Sequence, residues 1–545
     1  MSNQIVQVNV SLTQAPAPST LQRTGAFISQ GATNTSPGTK SLLTQLADLT
    51  PLLVGAKAIS GITQTGGLAT ATAASPHGFT ISDTFDLTIA GSTIAAYNGT
   101  FLATITSTTQ FTYAVPSATA SPATGTIVYT PEDVAELLAM ATSFFAQGSA
   151  ISVYVLELGA GNPTDGVAFL TAWINASPQF FYSYLVPRTW DGNAAFLTMI
   201  AQFLATTAKT YFFVTTTIAT YQFYTNLMKD VVSLIEAPVY GVWPANGLTA
   251  FSQSGGAATA TTTAAHGVVP GDYFTLSGCT PVGWNGTWLA LTGTTGSTLA
   301  FAVPSSLGAE SVLGTLVASY DGSAGIPALE FSLAQPFNVA LNYNPSTTNK
   351  VTPFAFSFLY GDTPFPTLGN SALLALLKLA SINIVATGAE GGISDAILEW
   401  GTTMDARDFT FWYSVDWMQI NAALAIANEV INGSNDPINP LYYDQNGINR
   451  LQARLAQVVG SAITFGLALG TVQQTELDGP DFAAAIDAGK FAGGAVVNAV
   501  PFIPYSAANP SDYRIGKYAG LSILYTPARG FISIIINIVA TDFTS

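Results

Sequence analysis

A set of short strings occurs twice in this chain, in the same order, and any fold proposed for it must accommodate the duplication. Gly66-Gly67-Leu68-Ala69-Thr70-Ala71-Thr72 returns as Gly255-Gly256-Ala257-Ala258-Thr259-Ala260-Thr261, and Pro76-His77-Gly78 returns as Ala265-His266-Gly267. Asp83 matches Asp272, and Tyr97-Asn98-Gly99-Thr100-Phe101 matches Trp284-Asn285-Gly286-Thr287-Trp288. Ala114-Val115-Pro116-Ser117 returns as Ala302-Val303-Pro304-Ser305. A kept order with little drift in spacing marks two copies of one unit. Within each copy, runs rich in Thr, Val, Ile and aromatics alternate with Gly, Asn and Pro, the pattern of an all-β unit. Asn98-Gly99 and Asn285-Gly286 predict type I′ hairpins, because that turn needs two positive φ angles. The modules are placed at 61–130 and 248–319 and are expected to be small β-sandwiches.

Outside the modules the pattern changes to alternating helix and strand. Helices are predicted at 131–147, 167–175, 194–207 and 373–380, with strands at 151–158, 180–186, 211–216 and 382–386. Two long helices are predicted near 409–431 and 447–469. Such alternation predicts a layered α/β core, which the two modules interrupt as insertions. The division that follows is a strand arm and linker (1–24), the start of the core (25–60), the first module, core (131–247), the second module, core with a helical C-terminal half (320–529), and a second arm (530–545). Both arms read as strands. Val6, Val8, Val10 and Leu12 alternate with polar residues, and Ile532, Ile534, Ile536 and Ile538 share one face of a strand over 531–540. The first arm leads into Gln14-Ala15-Pro16-Ala17-Pro18-Ser19, an extended linker.

Charge is scarce: 8% of residues are charged, against roughly 25% in ordinary soluble domains. The apolar stretch from Leu455 to Val472 is interrupted by Gln457, Gly460, Ser461, Thr464, Gly466 and Gly470, so a buried helix is expected there and no stable membrane insertion. Residues 1–20 show neither the basic nor the apolar region of a secretory signal. A Thr-, Ser-, Asn- and Gly-rich surface suits packing against copies of itself, where a buried charge costs desolvation. The net charge of −16, with no Lys or Arg between Lys57 and Arg188 or between Lys229 and Lys350, excludes a nucleic-acid binder. Its basic residues come late: Arg450, Arg454, Lys490, Arg514, Lys517 and Arg529. Of these, Lys490, Arg514 and Lys517 are candidates for contact with an acidic protein partner.

Residues that carry chemistry are few. His77 and His266 are the only histidines and occupy equivalent positions before a glycine, which predicts a shared structural turn role. Cys279 is the only cysteine, so no intrachain disulfide forms, as in a reducing cytoplasm. Asp405, Arg407 and Asp408 precede a helix and read as capping. Asn435-Asp436-Pro437 and Asp444-Gln445-Asn446-Gly447 lack the ligand spacing of a calcium loop and read as turns and caps. Gly159-Ala160-Gly161 follows a strand without the third glycine of a dinucleotide loop. Trp400, Trp412 and Trp417 are expected in the core. No catalytic, cofactor or metal site is expected, and the chain reads as a non-enzyme.

Several strings resemble a known family. They are Met404-Asp405-Ala406-Arg407-Asp408, Trp412-Tyr413-Ser414-Val415-Asp416-Trp417-Met418-Gln419-Ile420-Asn421, Asn432 through Tyr443, and Gln445-Asn446-Gly447-Ile448. The opening Val6-Gln7-Val8-Asn9-Val10-Ser11 and the strand ending Tyr154-Val155-Leu156 belong with them. Together they resemble contractile phage tail sheath proteins, and the two modules resemble immunoglobulin-like β modules inserted in phage tail proteins. The resemblance implies a homopolymeric helical sheath around a tail tube protein, bounded by baseplate and tail terminator proteins. It would be assembled in the host bacterial cytoplasm and located in the virion tail. Terminal arms would lend strands to neighbouring subunits, and contraction, driven by energy stored at assembly, would push the tube through the host envelope without a cofactor. The alternatives are a virion surface or adhesin protein whose modules bind host glycans, and a tail depolymerase.

Overall fold

The computed structural model describes residues 19–532, apart from 150, 205–208, 218–219, 225–228, 237–238, 242–245, 267, 269, 271–272, 304–306, 309–310, 322–329, 346–349, 366–370 and 389–394. Strands β1 (Gly25–Ser29) and β2 (Lys40–Leu43) come first. The first module follows, as β3 (Lys57–Thr65), β4 (Leu68–Ala73), β5 (Thr84–Ser92), β6 (Gly99–Ile105), β7 (Gln110–Ala114) and β8 (Gly125–Pro131). Helix and strand then alternate through α1 (Glu132–Ala146), β9 (Val153–Glu157), α2 (Pro163–Ala176), β10 (Ser183–Leu185), α3 (Ala194–Leu204), β11 (Tyr211–Thr215) and β12 (Val231–Ile235). A short β13 (Val239–Gly241) leads into the second module, β14 (Asn246–Ser254), β15 (Ala257–Thr262), β16 (Tyr273–Thr280), β17 (Gly286–Leu289), β18 (Thr298–Ala302) and β19 (Val312–Asp321). The α/β part resumes with α4 (Ala334–Asn342), β20 (Phe358–Leu359), α5 (Ser371–Leu379), β21 (Asn383–Gly388) and β22 (Asp395–Glu399). The rest is α6 (Phe409–Asn435), α7 (Gln445–Thr464), β23 (Ala468–Leu469), β24 (Val472–Thr475), α8 (Gly479–Asp487), β25 (Ala495–Ala499), α9 (Phe502–Ala508), α10 (Pro510–Arg514), β26 (Leu521–Leu524) and β27 (Thr526–Pro527).

The expected α/β core is a mixed sheet in the order β2-β9-β1-β10-β11-β12-β21-β22-β20. Its middle, from β9 to β21, is parallel, with β2 antiparallel at one edge and β22 and β20 at the other. The parallel strands are covered on both faces, which is why Tyr211–Thr215 and Val231–Ile235 are buried at every position rather than at alternate ones. Asn162 caps α2 by accepting from Asp165 N at 3.0 Å, with Pro163 at the first helical position. One core cluster joins Trp190, Phe196, Phe212, Ile384 and Met404.

The modules do enter this core at two places, between β2 and α1 and between β12 and α4. They run over 57–131 and 246–321, slightly wider than the sequence boundaries. The sandwich expectation needs correction. The first module closes into a barrel in the ring order β3-β4-β7-β6-β5-β8. The second has the order β17-β16-β19-β14-β15-β18. These are the corresponding strands in the same circular order, open between β17 and β18 among the described residues. Ring closure removes exposed sheet edges, which suits a small unit standing on its own core. Each core is centred on a fully buried aromatic, Tyr97 in one and Trp284 in the other.

The type I′ expectation is also overturned. Asn98 has φ −94° and follows a 3-10 turn, Ala95–Tyr97, while Asn285 has φ −76° after Val282–Trp284. Both asparagines are bridges instead. Asn98 Oδ1 accepts from Ser92 N at 2.9 Å and its Nδ2 donates to Ser92 O at 2.7 Å. Asn285 makes the same pair of bonds to Cys279, at 2.7 and 2.9 Å. Side-chain satisfaction of one residue's whole backbone holds the segment just after a positive-φ glycine, Gly91 at φ +87° or Gly278 at φ +78°; in the first module the register shifts there, between Ala90 and Ser92, as in a bulge. Asn98→Ala strands a buried N–H and C=O, so a destabilisation of about 1–3 kcal/mol is expected in urea unfolding. Asn285→Ala is expected to match it.

The structure also divides the stretch 320–529. Residues 410–529, with 343–352 and the first described residues 19–20, form one compact unit, and 21–342, 353–409 and 530–532 form the other. In the smaller unit the second long helix stops at Thr464 rather than at 469, because Gly466 turns the chain at φ +76° and Ala468–Leu469 is a strand. Asp444 caps α7 through Gly447 N at 2.8 Å, and Ile448, Gln452, Leu455, Val459 and Ala462 line its buried face. Among the described residues no helix is long and apolar enough to cross a membrane.

Candidate functional site

The residues singled out for chemistry occupy structural positions. His77 and His266 are each 3% exposed. His77 Nδ1 accepts from Phe79 N at 3.1 Å, and His266 Nδ1 accepts from Val268 N at 3.0 Å. Burial pulls both imidazoles below their ordinary range, so each is a neutral acceptor that closes a turn, as the repeat suggests. Cys279 is buried, and burial raises its thiol pKa away from the reactive thiolate. Trp400 and Trp417 are buried and Trp412 is half-buried. Asp436 Oδ1 accepts from Ile438 N and Asn439 N in a turn. Among the described residues no group of three or more His, Cys, Asp or Glu is placed to hold a metal.

The assembly residues divide between described and undescribed positions. Val6, Val8, Val10, Leu12, Ile534, Ile536 and Ile538 lie outside the described residues. Ile532 sits in a bend, half-buried against the α/β core cluster, while Phe531 beside it is 75% exposed. The starting points of both arms are held by residues within the family-like strings. Ser19 N donates to Asn421 Oδ1 at 2.9 Å, and Asn421 in turn donates to Trp417 O at 2.9 Å. In the other unit, Gly530 N donates to Asp408 Oδ2 at 2.7 Å, with Asp408 only 2% exposed. A side chain at Gly530 would meet Pro353 Cβ at 2.6 Å. The sequence read Asp408 as capping and offered no chemical reason for Asn421; in the structure each also holds a segment more than a hundred residues away.

Lys490, Arg514 and Lys517 are all exposed. Arg514 and Lys517 share one short helix and turn, where Lys517 Nζ lies 3.5 Å from Asp512 Oδ1, and Lys490 lies on a separate element after α8. Around the first pair the surface is apolar: Ile503 is 75% exposed and Ile515 71%. They border an aromatic group in which Tyr443, Phe502 and Tyr513 stack edge to face or tilted at 5.3–5.8 Å. On α6 of the same unit, Ala423, Leu424, Ala427, Val430 and Ile431 are exposed at helical spacing, and beyond its end Ile438 is 93% exposed. That face carries no charge; Glu429, on the same helix, is paired to Arg450 at 2.7 Å. The sheet β24-β25-β26 is unpaired at both outer edges among the described residues.

No protein-family model matches the chain, and no curated protein matches it. Among solved structures, a crystal structure of a sheath tail protein from Listeria innocua is similar at 9% identity, with a TM-score of 0.35, over 82% of this chain and 85% of that one.

Proposed function

We propose that the chain is a self-assembling structural subunit, not an enzyme, whose copies form a helical tail sheath around a tail tube protein. The observation that carries this reading is the uncharged apolar face of the 410–529 unit. Leu424, Val430, Ile431 and Ile438 are exposed along and just beyond α6 on a chain otherwise rich in small polar residues, and Ile503 and Ile515 are separately exposed in the same unit. Exposed apolar area of this kind marks an interaction surface, and the occupant proposed is another copy of this chain. The open edge at Leu521–Leu524 supports the same reading, since an unpaired strand edge accepts an added strand. The segments around Val6–Leu12 and Ile532–Ile538 have the alternation such an added strand needs. Subunits would join in the host cytoplasm and stay in the virion tail, bounded by baseplate and terminator proteins, without nucleic acid or cofactor.

A concentration series in the analytical ultracentrifuge tests the proposal. Cooperative passage from monomer to very large species is expected, and one monomeric species at every concentration would sink it. Contact with an acidic tube protein would run through Lys490, Arg514 and Lys517. Charge reversal at all three is expected to weaken co-sedimentation with the tube, most at low salt, where screening is least. Because Asp512 already faces Lys517, reversal of Lys490 and Arg514 alone should give most of the effect.

A further inference from the structure

One buried group of charges joins the segments that flank the inserted modules. Arg188 follows β10, and its guanidinium donates to Glu236 at 2.7 and 3.1 Å and to Glu330 O at 3.0 Å. Glu236 follows β12 on the way into the second module, and Glu330 lies on the way out of it. Glu136, in the first turns of α1 directly after the first module, accepts from Arg188 N at 2.9 Å and lies 3.8 Å from its guanidinium. Asp362, in the loop before α5, completes the group. Arg188 is thus taken up by the carboxylates of Glu236 and Glu136 and by the Glu330 carbonyl.

Among the described residues, the remaining pair, Glu330 and Asp362, has no salt bridge to a cation. Each residue is 9% exposed. Glu330 Oε1 accepts from Thr363 N at 2.7 Å and from Ser332 Oγ at 3.4 Å, and its Oε2 accepts from Thr363 Oγ1 at 2.8 Å. Asp362 Oδ1 accepts from Thr363 N at 3.1 Å. Its Oδ2 is buried with no hydrogen-bond partner among the described residues, and the two carboxylates are brought side by side by sharing the Thr363 N donor. Two buried carboxylates in that relation repel, and an orphan acceptor is costly. A proton on Asp362 Oδ2 removes both problems, because the acid then donates to Glu330.

We propose that Asp362 and Glu330 share one proton and form a pH-sensitive latch, which ties the loop before α5 to the chain running from the second module into α4. The groups facing Asp362 are Glu330 and Glu236, with Arg188 and Glu136 behind Glu236; the side chains of Gln335 and Gln147, which donate to the neighbouring Tyr360 carbonyl, are neutral. Burial first, and the nearby Glu330 second, push the Asp362 carboxyl well above its ordinary 3.8. In the unfolded chain the proton leaves near 3.8, whereas in the folded chain it stays until the raised value. Over that interval the folded state binds more protons, so stability falls as pH rises through it and the latch opens.

The test compares urea midpoints of the full-length wild type, Asp362→Asn and Glu330→Gln across pH 4–9. An amide at 362 still donates to Glu330 but cannot ionise. The wild type is expected to lose stability with rising pH relative to Asp362→Asn, whose profile lacks that component, and Glu330→Gln, which keeps a buried Asp362, is expected to show it reduced. A titrating carboxylic-acid carbonyl band in the infrared spectrum of the wild type, absent from Asp362→Asn, is expected alongside. Profiles that run parallel in all three proteins would overturn the proposal. Should neither variant fold, the absence of a titrating protonated-carboxyl band from the wild type would overturn it.

Discussion

Glu157→Ala is expected to be the most damaging single substitution in the α/β part, lowering stability by on the order of 4 kcal/mol. Glu157 is 1% exposed and, among the described residues, makes no salt bridge. Its carboxylate instead accepts five hydrogen bonds: from Ser29 Oγ at 2.6 Å, Thr33 Oγ1 at 2.7 Å, Thr33 N at 3.1 Å, Gly31 N at 2.7 Å and Gly159 N at 2.7 Å. These donors come from the ends of β1 and β9 and the loops leaving them, so one side chain closes two neighbouring turns. The glycine at 31 is required there: φ is +84°, and a side chain would meet Ala160 Cβ at 2.7 Å. Removing the carboxylate strands five buried donors at about 1–3 kcal/mol each before relaxation, and water entering the vacated space recovers part of that. Against a total of about 5–15 kcal/mol, such a loss is a large fraction. Urea unfolding followed by circular dichroism measures it. Ser29→Ala, which removes one of the five bonds, is the graded control at about 1 kcal/mol.

The second large effect is on assembly. Removing residues 531–545 is expected to leave a folded monomer that no longer builds long polymers. Three isoleucines at 534, 536 and 538, each contributing about 1.5–3 kcal/mol when buried, give roughly 4.5–9 kcal/mol; Ile532 is already half-buried against its own α/β core cluster. Ordering the arm costs about 1–2 kcal/mol per residue, on the order of ten in all. One arm alone is thus close to balance, and cooperative assembly through two arms and the apolar face of 410–529 follows from that near-equality. The truncation ends at Gly530, so the Asp408–Gly530 bond that holds the arm's starting point is retained. A urea midpoint lowered only slightly, by the loss of Ile532 from the surface of the core, together with lost polymerisation is the expected pair of results. Normal polymerisation by the truncated chain would contradict the arm-exchange reading.

The parts of this fold that were legible in the sequence are those with a local or periodic cause. The duplicated strings became two modules with the same circular strand order. The strand predicted at 211–216 became the buried parallel strand Tyr211–Thr215, and Asp444 became a cap. The misreadings also have local causes. Asn98-Gly99 has the composition of a tight hairpin, yet the Asn98 side chain makes two bonds to Ser92 and holds its own backbone extended. The helix expected to reach 469 carries an apolar pattern past Gly466, and the pattern does not reveal that this glycine adopts positive φ. What could not be read is long-range. The donors of Glu157 lie more than a hundred residues away except for Gly159, and the group around Arg188 is drawn from five separate segments. Asn421 stood out only by resemblance and Asp408 as a cap; their long-range roles appear once Ser19 and Gly530 are brought to them.

The central claim is that copies of this chain assemble through their own surfaces. Negative-stain electron microscopy of the purified full chain, beside the chain ending at Gly530, tests it most directly. Tubes or stacked rings from the full chain, and isolated particles from the truncated one, are the predicted result. Isolated particles from both, at every concentration and salt tried, would contradict it.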